Sequence, residues 1–226
     1  MDKKEIVRVG YNEAAEALEK ILGIEREEEE EVKSLSEFSS RIPLDGRVLD
    51  AGCGNGAYSR ILSEKFEVIG VDISEKQIEL AKQNAPKAKF ICQDMTKVTF
   101  PDEHFNGILS YYSIIHIPRE EHYELLRNFR RMLKINGIVL LTFHNSDDPE
   151  SYDENFFGSG AKMFWSGFDE ATNLKMIQDI GLKIIWSKLV QESPKFGESY
   201  HLFVMAEKYF NTSSTKIEVR FTKYYS

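Results

Sequence analysis

The architecture of this chain follows from one segment, Val48-Leu49-Asp50-Ala51-Gly52-Cys53-Gly54-Asn55-Gly56. A short apolar run ends in a carboxylate, and three glycines follow at alternate positions. Glycine tolerates a positive φ and lets a ligand lie against bare backbone. The helix predicted next would present free N–H groups and a partial positive charge. The segment therefore predicts a strand, a tight loop and a helix that together accept an anionic group.

Apolar runs alternate with helical patterns on the C-terminal side of this loop. Further strands are predicted at 68–71, 89–92, 107–110 and 138–143. Because strands that are apolar throughout are buried on both faces, helices must cover both sides of the sheet. Runs at 182–190 and 201–208 predict an antiparallel hairpin at its edge. We expect an α/β fold, a doubly wound seven-stranded sheet with a parallel core and a C-terminal antiparallel hairpin.

Three segments lie outside the core of this domain, which we place at 41–210. Residues 1–40 are expected to form an N-terminal helical cap. Residues 144–168 are expected to be an irregular aromatic insert, which either closes over a ligand as a lid or packs as a satellite hydrophobic cluster. The C-terminal tail, 211–226, either adds an edge strand or stays disordered.

Charge argues against a nucleic-acid partner. The chain has 29 Lys and Arg against 37 Asp and Glu, a net charge of -8, and an acidic chain gains nothing from neutralising phosphates. We interpret the acidic run 25–31 as a solvated helix face or connector. We also expect one basic helix face to be solvated, and its residues are Arg127, Arg130, Arg131 and Lys134.

Nothing in the sequence predicts secretion or membrane insertion. No signal-like apolar segment follows the N-terminus, and no run approaches the roughly 18 apolar residues that cross a bilayer. The two cysteines, Cys53 and Cys92, do not form a C-x-x-C pair. A cytoplasmic protein is therefore expected. The five histidines lack metal-site spacing, so no metal site is predicted.

The glycine spacing separates two classes of cofactor. Dinucleotide enzymes use G-x-G-x-x-G, whereas this loop reads G-x-G-x-G. Asp72 ends the second strand, where a carboxylate accepts hydrogen bonds from a ribose diol and excludes a 2′-phosphate. Ser74 is the predicted N-cap of the following helix. The pattern favours a nucleoside cofactor other than NAD.

Two segments, 50–56 and 71–74, resemble motifs I and II of the class I S-adenosylmethionine-dependent methyltransferases. Within that class, they resemble the group that methylates small molecules. The resemblance covers roughly residues 40–143. It implies a Rossmann-like methyltransferase fold with S-adenosyl-L-methionine as cofactor, the glycine loop on its methionine portion and Asp72 on its ribose.

The resemblance also implies further contacts to the cofactor. Asp94 corresponds to the acid that meets the adenine amino group, Gln77 falls where the family often has an apolar residue beside adenine, and Tyr11 folds over the methionine end. The implied cofactor-binding residues are Tyr11, Asp50, Gly52, Cys53, Gly54, Gly56, Asp72, Ile73, Gln77, Gln93, Asp94, Met95, Ser110 and Tyr111.

Two positions depart from the family pattern. Asn106 stands where the family usually has aspartate, which removes a charge near the fourth strand. Residues 134–137 read Lys-Ile-Asn-Gly where the family often has Lys-Pro-Gly-Gly, a change that keeps a turn.

Methyl transfer from a cationic sulfur mainly requires alignment and exclusion of water, and a base only where the nucleophile must lose a proton. His116, six residues past the fourth strand, is the candidate base, and the alternative is that it caps or orients the loop before Pro118. Tyr112, His144 and Trp165 are the candidate acceptor-binding residues.

We therefore expect a methyltransferase that acts on O, N or S of an unidentified, small-molecule acceptor. A non-catalytic S-adenosylmethionine-binding sensor or partner subunit is the alternative, kept open by Asn106 and by the lack of an obvious base. An NAD-dependent oxidoreductase is a further alternative, which the glycine spacing argues against. The oligomeric state is open.

Overall fold

The computed structural model describes residues 2–22, 29–191 and 199–209. The predicted tail, 211–226, lies outside these residues. The helices are α1 Lys3–Glu13, α2 Ala15–Leu22, α3 Glu29–Ser40, α4 Ala57–Leu62, α5 Glu75–Asn84, α6 His122–Met132 and α7 Glu170–Asp179. The strands are β1 Arg47–Ala51, β2 Glu67–Asp72, β3 Lys89–Cys92, β4 Phe105–Ser110, β5 Leu133–His144, β6 Asp148–Asp153, β7 Met163–Gly167, β8 Lys183–Gln191 and β9 Tyr200–Glu207.

The main sheet has seven strands in the order β3-β2-β1-β4-β5-β9-β8. The first five are parallel, and β9 pairs antiparallel with both β5 and β8. The predicted doubly wound sheet with a C-terminal antiparallel hairpin is confirmed. The strand order reverses between β1 and β4, so a crevice opens at their carboxyl ends, where ligands bind in folds of this kind.

Each face of the sheet has its own core because successive strand residues point to opposite sides. Leu49 of β1 packs with Phe129 of α6 and Ile177 of α7. Its neighbour Val48 packs on the opposite face, with Phe38 of α3. Helices therefore cover both faces, as buried parallel strands require.

The insert 144–168 is not irregular, contrary to the prediction. Strands β6 and β7 pair antiparallel as a separate two-stranded sheet. Strand β7 is sheltered because α1 lies on it: a Cβ on Gly10 would stand 2.6 Å from the carbonyl oxygen of Lys162. Ile6 and Val7 of α1 share a third hydrophobic cluster with Phe164 of β7. The first helix and the insert thus pack as one cap.

Three local predictions need correction. Apolar residues recur at helical spacing over 5–22 and predict a single helix in the N-terminal cap, but this stretch forms two helices, which divide at Ala14. Lys134 lies on β5 and not on the basic helix, and the expected turn is a bend within β5, where Asn136 has φ 62°.

The acidic run 25–31 is described only from Glu29, and Glu31 is buried rather than solvated. Glu31 accepts a hydrogen bond from the Tyr58 hydroxyl, and its backbone carbonyl accepts one from Tyr111 at 3.2 Å. These two hydrogen bonds satisfy the carboxylate and the backbone carbonyl of this buried residue.

No helix in the described part of the chain is long and apolar enough to cross a membrane. Within the same residues, no group of three or more His, Cys, Asp or Glu side chains is placed to hold a metal ion.

Candidate functional site

Each glycine of the loop between β1 and α4 has a positive φ, and the three glycines serve two different purposes. A Cβ on Gly52 would stand 2.2 Å from Cβ of Ser113, and one on Gly56 would stand 2.9 Å from Cα of Ala81. A Cβ on Gly54 would meet nothing nearer than Oε1 of Gln77, at 3.8 Å. Gly52 and Gly56 therefore allow close packing, whereas Gly54 forms the open face of the loop.

Asp72 holds this loop in place from the end of β2. Its Oδ2 accepts the backbone N–H of Gly54, and its Oδ1 accepts that of Ser74, each at 2.9 Å. Burial raises the pKa of Asp72, and the backbone donors oppose this rise by stabilising the carboxylate. Each carboxylate oxygen accepts more than one hydrogen bond, so Asp72 can still receive the ribose hydroxyls.

Asp50 and Cys53, both predicted cofactor contacts, have buried side chains beneath the loop. Asp50 Oδ2 accepts the Ser59 hydroxyl at 2.6 Å. Burial, together with the negative charge of Asp72, raises the pKa of Asp50 to about 7. Burial also raises the pKa of the Cys53 thiol. These buried side chains support the loop, and the part of Asp50 and Cys53 in binding the cofactor stays a prediction.

Ser110 and Tyr111 are likewise buried rather than turned towards the open face of the loop. The Ser110 hydroxyl donates to the carbonyl of Ala51 at 2.9 Å and lies 2.6 Å from the Ser113 hydroxyl. Tyr111 packs into the core under α3. Both side chains are buried because packed elements cover both faces of the sheet, and their contact with the cofactor stays a prediction.

The segment after β3 is tied to α1. Asp94, predicted to meet adenine, accepts Lys4 Nζ at 2.9 Å and the Thr96 N–H at 2.9 Å. Burial alone raises the pKa of Asp94, but these bonds outweigh it and hold the pKa below its usual value. Lys4 also donates to Glu121, at 2.5 Å. The first helix is thereby fastened across the ends of the strands.

The neighbours of these residues are placed at the same edge. Gln93 is exposed, and its N–H donates to the carbonyl of Asp72 at 2.8 Å. Met95 reaches the loop, with its methyl group 3.1 Å from the position of a Cβ on Gly52. Ile73 packs against the cluster between α1 and the insert.

His116 is joined to two other parts of the chain. Its Nδ1 lies 2.8 Å from the carbonyl oxygen of Phe164, and its Nε2 lies 2.9 Å from Tyr11 Oη. Because a carbonyl only accepts, Nδ1 carries the proton. In the neutral ring Nε2 is then the acceptor, and the Tyr11 hydroxyl donates to it. A neutral imidazole whose Nε2 accepts a hydrogen bond is the form that a general base requires.

Aromatic side chains surround this imidazole. The centroid of the Trp165 ring lies 5.5 Å from that of His116, and Phe156 lies 5.4 Å from Tyr11. His116 ends the short 3₁₀ turn Ile114–His116, which follows Ser113. Because Ser113 packs on Gly52, this turn is also connected to the glycine loop.

The three predicted acceptor-binding residues do not form one cluster. Trp165 belongs to the aromatic group around His116. Tyr112 instead packs on His201, with ring centroids 5.1 Å apart, and His144 lies 6.0 Å from His201. The antiparallel pairing of β5 and β9 brings the two histidines together.

Sequence reasoning missed Lys4, Ser113 and His201. Ser113 carries a local signal, because a small polar residue after a strand suits close approach to a glycine. Lys4 and His201 act through partners far along the chain, which no local pattern reports.

The departure at Asn106 has a structural explanation. Its Oδ1 accepts the N–H of Arg47 at 3.1 Å and Lys134 Nζ at 3.0 Å. These residues lie at the amino ends of β1 and β4, opposite the edge that carries the glycine loop. The missing charge is thus remote from the site and says nothing against catalysis.

The crevice fits an adenosyl amino acid on three observations. Backbone without a side chain lies at Gly54, the carboxylate of Asp72 accepts the N–H of Gly54, and the amide of Gln77 lies near Gly54. S-adenosylmethionine carries a ribose diol for the carboxylate and a carboxylate for the loop and the N–H groups of α4.

Comparison with known proteins agrees with this geometry. A family model described as "Methyltransferase domain" matches residues 48–137. The chain is 28% identical over 176 residues to putative methyltransferase YqeM of Bacillus subtilis, covering 74% of this chain and 67% of that protein. It is 32% identical over 121 residues to 2-methyl-6-phytyl-1,4-hydroquinone methyltransferase of Synechocystis, covering 51% of this chain and 37% of that enzyme.

The fold is similar to that of magnesium protoporphyrin IX methyltransferase from Synechocystis, solved with bound S-adenosylmethionine. The TM-score is 0.70 at 21% identity, and the match covers 92% of this chain and 98% of that one. The chain spans about two thirds of the first curated relative and little more than a third of the second. The loop, the strand order and the family match agree: residues 48–137 form a methyltransferase domain similar to those of the class I S-adenosylmethionine-dependent methyltransferases.

Proposed function

We propose that this chain transfers the methyl group of S-adenosylmethionine to an O, N or S atom of a small, largely apolar acceptor. The observation that carries this proposal is the hydrogen-bond arrangement of His116, whose Nε2 is an acceptor within an aromatic surround. Apolar walls hold flat or apolar molecules and exclude water, which strengthens the polar contacts inside.

The residues of the chain divide the work of the reaction. When bound, the cofactor supplies an electrophilic methyl carbon on a cationic sulfur. Gly54 and Asp72 hold and orient it at the end of the sheet. Once His116 Nε2 exchanges the Tyr11 hydroxyl for an acceptor O–H or N–H, it would take that proton as the acceptor atom bonds to the methyl carbon and the carbon–sulfur bond breaks. The carbonyl of Phe164 keeps Nδ1–H in place and stabilises the imidazolium that results.

Two features support a small acceptor over a nucleic acid. The chain carries a net charge of -8, which opposes binding to phosphates. The cap formed by α1 and the insert also packs closely beside the crevice, through the cluster that contains Ile6 and Phe164. A sensor or partner subunit that only binds cofactor loses one of its arguments, since Asn106 lies far from the site.

The test is direct. Purified protein is first titrated by calorimetry with S-adenosylhomocysteine and, separately, with NAD. We expect binding of the former and none of the latter. The protein is then incubated with S-adenosylmethionine and a panel of phenols, amines, thiols and carboxylates, and release of S-adenosylhomocysteine is measured by mass spectrometry. Uptake of NAD alone would refute the proposal, and tight cofactor binding without turnover across the panel would favour the sensor.

A further inference from the structure

Gln77 presents a buried amide that the fold itself does not use. It lies in the first turn of α5, and its side chain is 4% exposed. Its Nε2 has no hydrogen-bond partner among the residues that the structure describes. Leaving a buried donor unpaired costs stability, so such a group calls for an explanation.

The surroundings of this amide point to a ligand. Its Oε1 lies 3.8 Å from the position of a Cβ on Gly54, the open glycine of the loop. The N–H of Gly54 donates to Asp72, so the Gln77 amide and the Asp72 carboxylate both lie near the half-buried backbone of Gly54. A group that lies over Gly54 therefore meets an acceptor-only side chain and an amide together.

The chemistry of a diol matches this pair. A hydroxyl that donates to the Asp72 carboxylate has lone pairs left, and only a donor can satisfy them. The terminal torsion of a glutamine is broad and roughly two-fold, so a half-turn exchanges Oε1 for the unpaired Nε2. Gln77 then offers the N–H that the carboxylate lacks.

We propose that Gln77 donates a hydrogen bond to a ribose hydroxyl of the bound cofactor, as the counterpart of Asp72. This inference rests on the proposed function. It makes Gln77 a specificity-determining residue that costs the free protein stability and raises its affinity for an intact ribose. In the wider family an apolar residue, which cannot donate this hydrogen bond, often stands at this position.

The first variant is Gln77→Met, which keeps the length of the side chain and removes both polar atoms. We expect the thermal midpoint of the free protein to rise by roughly 2–4 °C, because an unpaired buried amide disappears. We expect the dissociation constant of S-adenosylhomocysteine, measured by calorimetry, to increase about 3- to 10-fold. A packing role predicts a lower midpoint, and a lower midpoint or an unchanged dissociation constant would overturn the inference.

The second variant, Gln77→Glu, tests the donor itself. A carboxylate cannot donate, and it would lie near Gly54, whose N–H already donates to the carboxylate of Asp72. We expect the dissociation constant to increase more than about 10-fold at pH 8. Binding equal to that of the wild type would show that no donor is needed.

The third arm identifies the partner atom. The wild type and Gln77→Met are titrated with S-adenosylhomocysteine and with its 2′-deoxy and 3′-deoxy forms. We expect Gln77→Met to bind S-adenosylhomocysteine more weakly than the wild type does. With one of the two deoxy forms, the variant and the wild type should bind equally well. An equal loss with all three ligands would place the amide elsewhere.

The outcomes separate the two claims. A wild-type protein that binds neither S-adenosylmethionine nor S-adenosylhomocysteine refutes the proposed function. A wild-type protein that binds both, with Gln77→Met equal to it, refutes only the role of Gln77.

Discussion

The hydroxyl of Tyr11 lies 2.9 Å from Nε2 of His116, although 105 residues separate them in the chain. With the bond from His116 Nδ1 to the carbonyl of Phe164, it joins the first helix, the loop after β4 and the insert. The side chain predicted as the base is therefore held by both parts of the cap. The packing of the cap therefore fixes the orientation of the imidazole.

His116→Gln tests the imidazole as the base. With an acceptor whose nucleophile carries a proton, we expect kcat to fall by about 10²- to 10⁴-fold, the contribution of a positioned base. The dissociation constant of S-adenosylhomocysteine should stay within about twofold, since His116 is placed for the acceptor. Tyr11→Phe is the matched control, because it keeps the base and removes only its hydrogen bond. An undiminished kcat in His116→Gln would leave His116 with a structural role.

Substitutions at two glycines of the loop should have different main effects, one on cofactor affinity and one on stability. Gly54→Ala adds a methyl group to the open face, so affinity for S-adenosylhomocysteine should fall at least about tenfold with a stability loss of about 1 kcal/mol from the positive φ. Gly56→Ala drives a methyl group against the backbone of Ala81, so stability should fall by about 1–3 kcal/mol or more. Calorimetry and urea unfolding measure the two quantities, and equal profiles for the variants would contradict the placement of the ligand.

Asp50 predicts a pH dependence of stability. Its pKa is about 7 in the folded protein and near 4 when unfolded, so between these values the unfolded chain loses a proton that the folded protein keeps. Stability therefore falls as the pH rises from about 4 to about 7, and this loss is complete above pH 7.

Asp50→Asn removes this dependence. Relative to the wild type, the variant should gain about 3–4 kcal/mol of unfolding free energy between pH 4 and pH 8. Urea unfolding at several pH values measures the gain. Asp45→Asn, on an exposed turn, serves as the control. Parallel curves for Asp50→Asn and the wild type would show that Asp50 titrates normally.

Lys4→Met tests the fastening of the first helix. The change removes the cation at 2.9 Å from buried Asp94 and leaves only the exposed Lys97 at 3.9 Å, so the free energy of unfolding at pH 7 should fall by about 1–3 kcal/mol. Because the pKa of Asp94 is held low in the folded protein, its ionised contribution is present at neutral pH and is lost as the pH falls through that pKa.

The difference between Lys4→Met and the wild type should therefore shrink in acid. Lys76→Met, which breaks an exposed pair with Glu79, should change stability by no more than about 0.5 kcal/mol. Similar losses in both lysine variants would mean that the Lys4 contact is an ordinary surface pair.

The sequence by itself determined the elements whose signals are local. The spacing of Gly52, Gly54 and Gly56, the acid at Asp72 and the cap at Ser74 each depend on a few neighbouring residues. Apolar periodicity located the strands, and the short connections between them left little choice of topology.

Only the tertiary structure decided which distant residues meet. Lys4 reaches Asp94 across 90 residues, His144 pairs with His201 through strand register, and Glu31 is buried in an acidic run that looks solvated. The packing of α3 on the sheet likewise buries Tyr111, which shares a core cluster with Phe38. Such contacts depend on how whole elements pack against one another, because the energy that selects them comes from surfaces buried between segments that are remote in the chain.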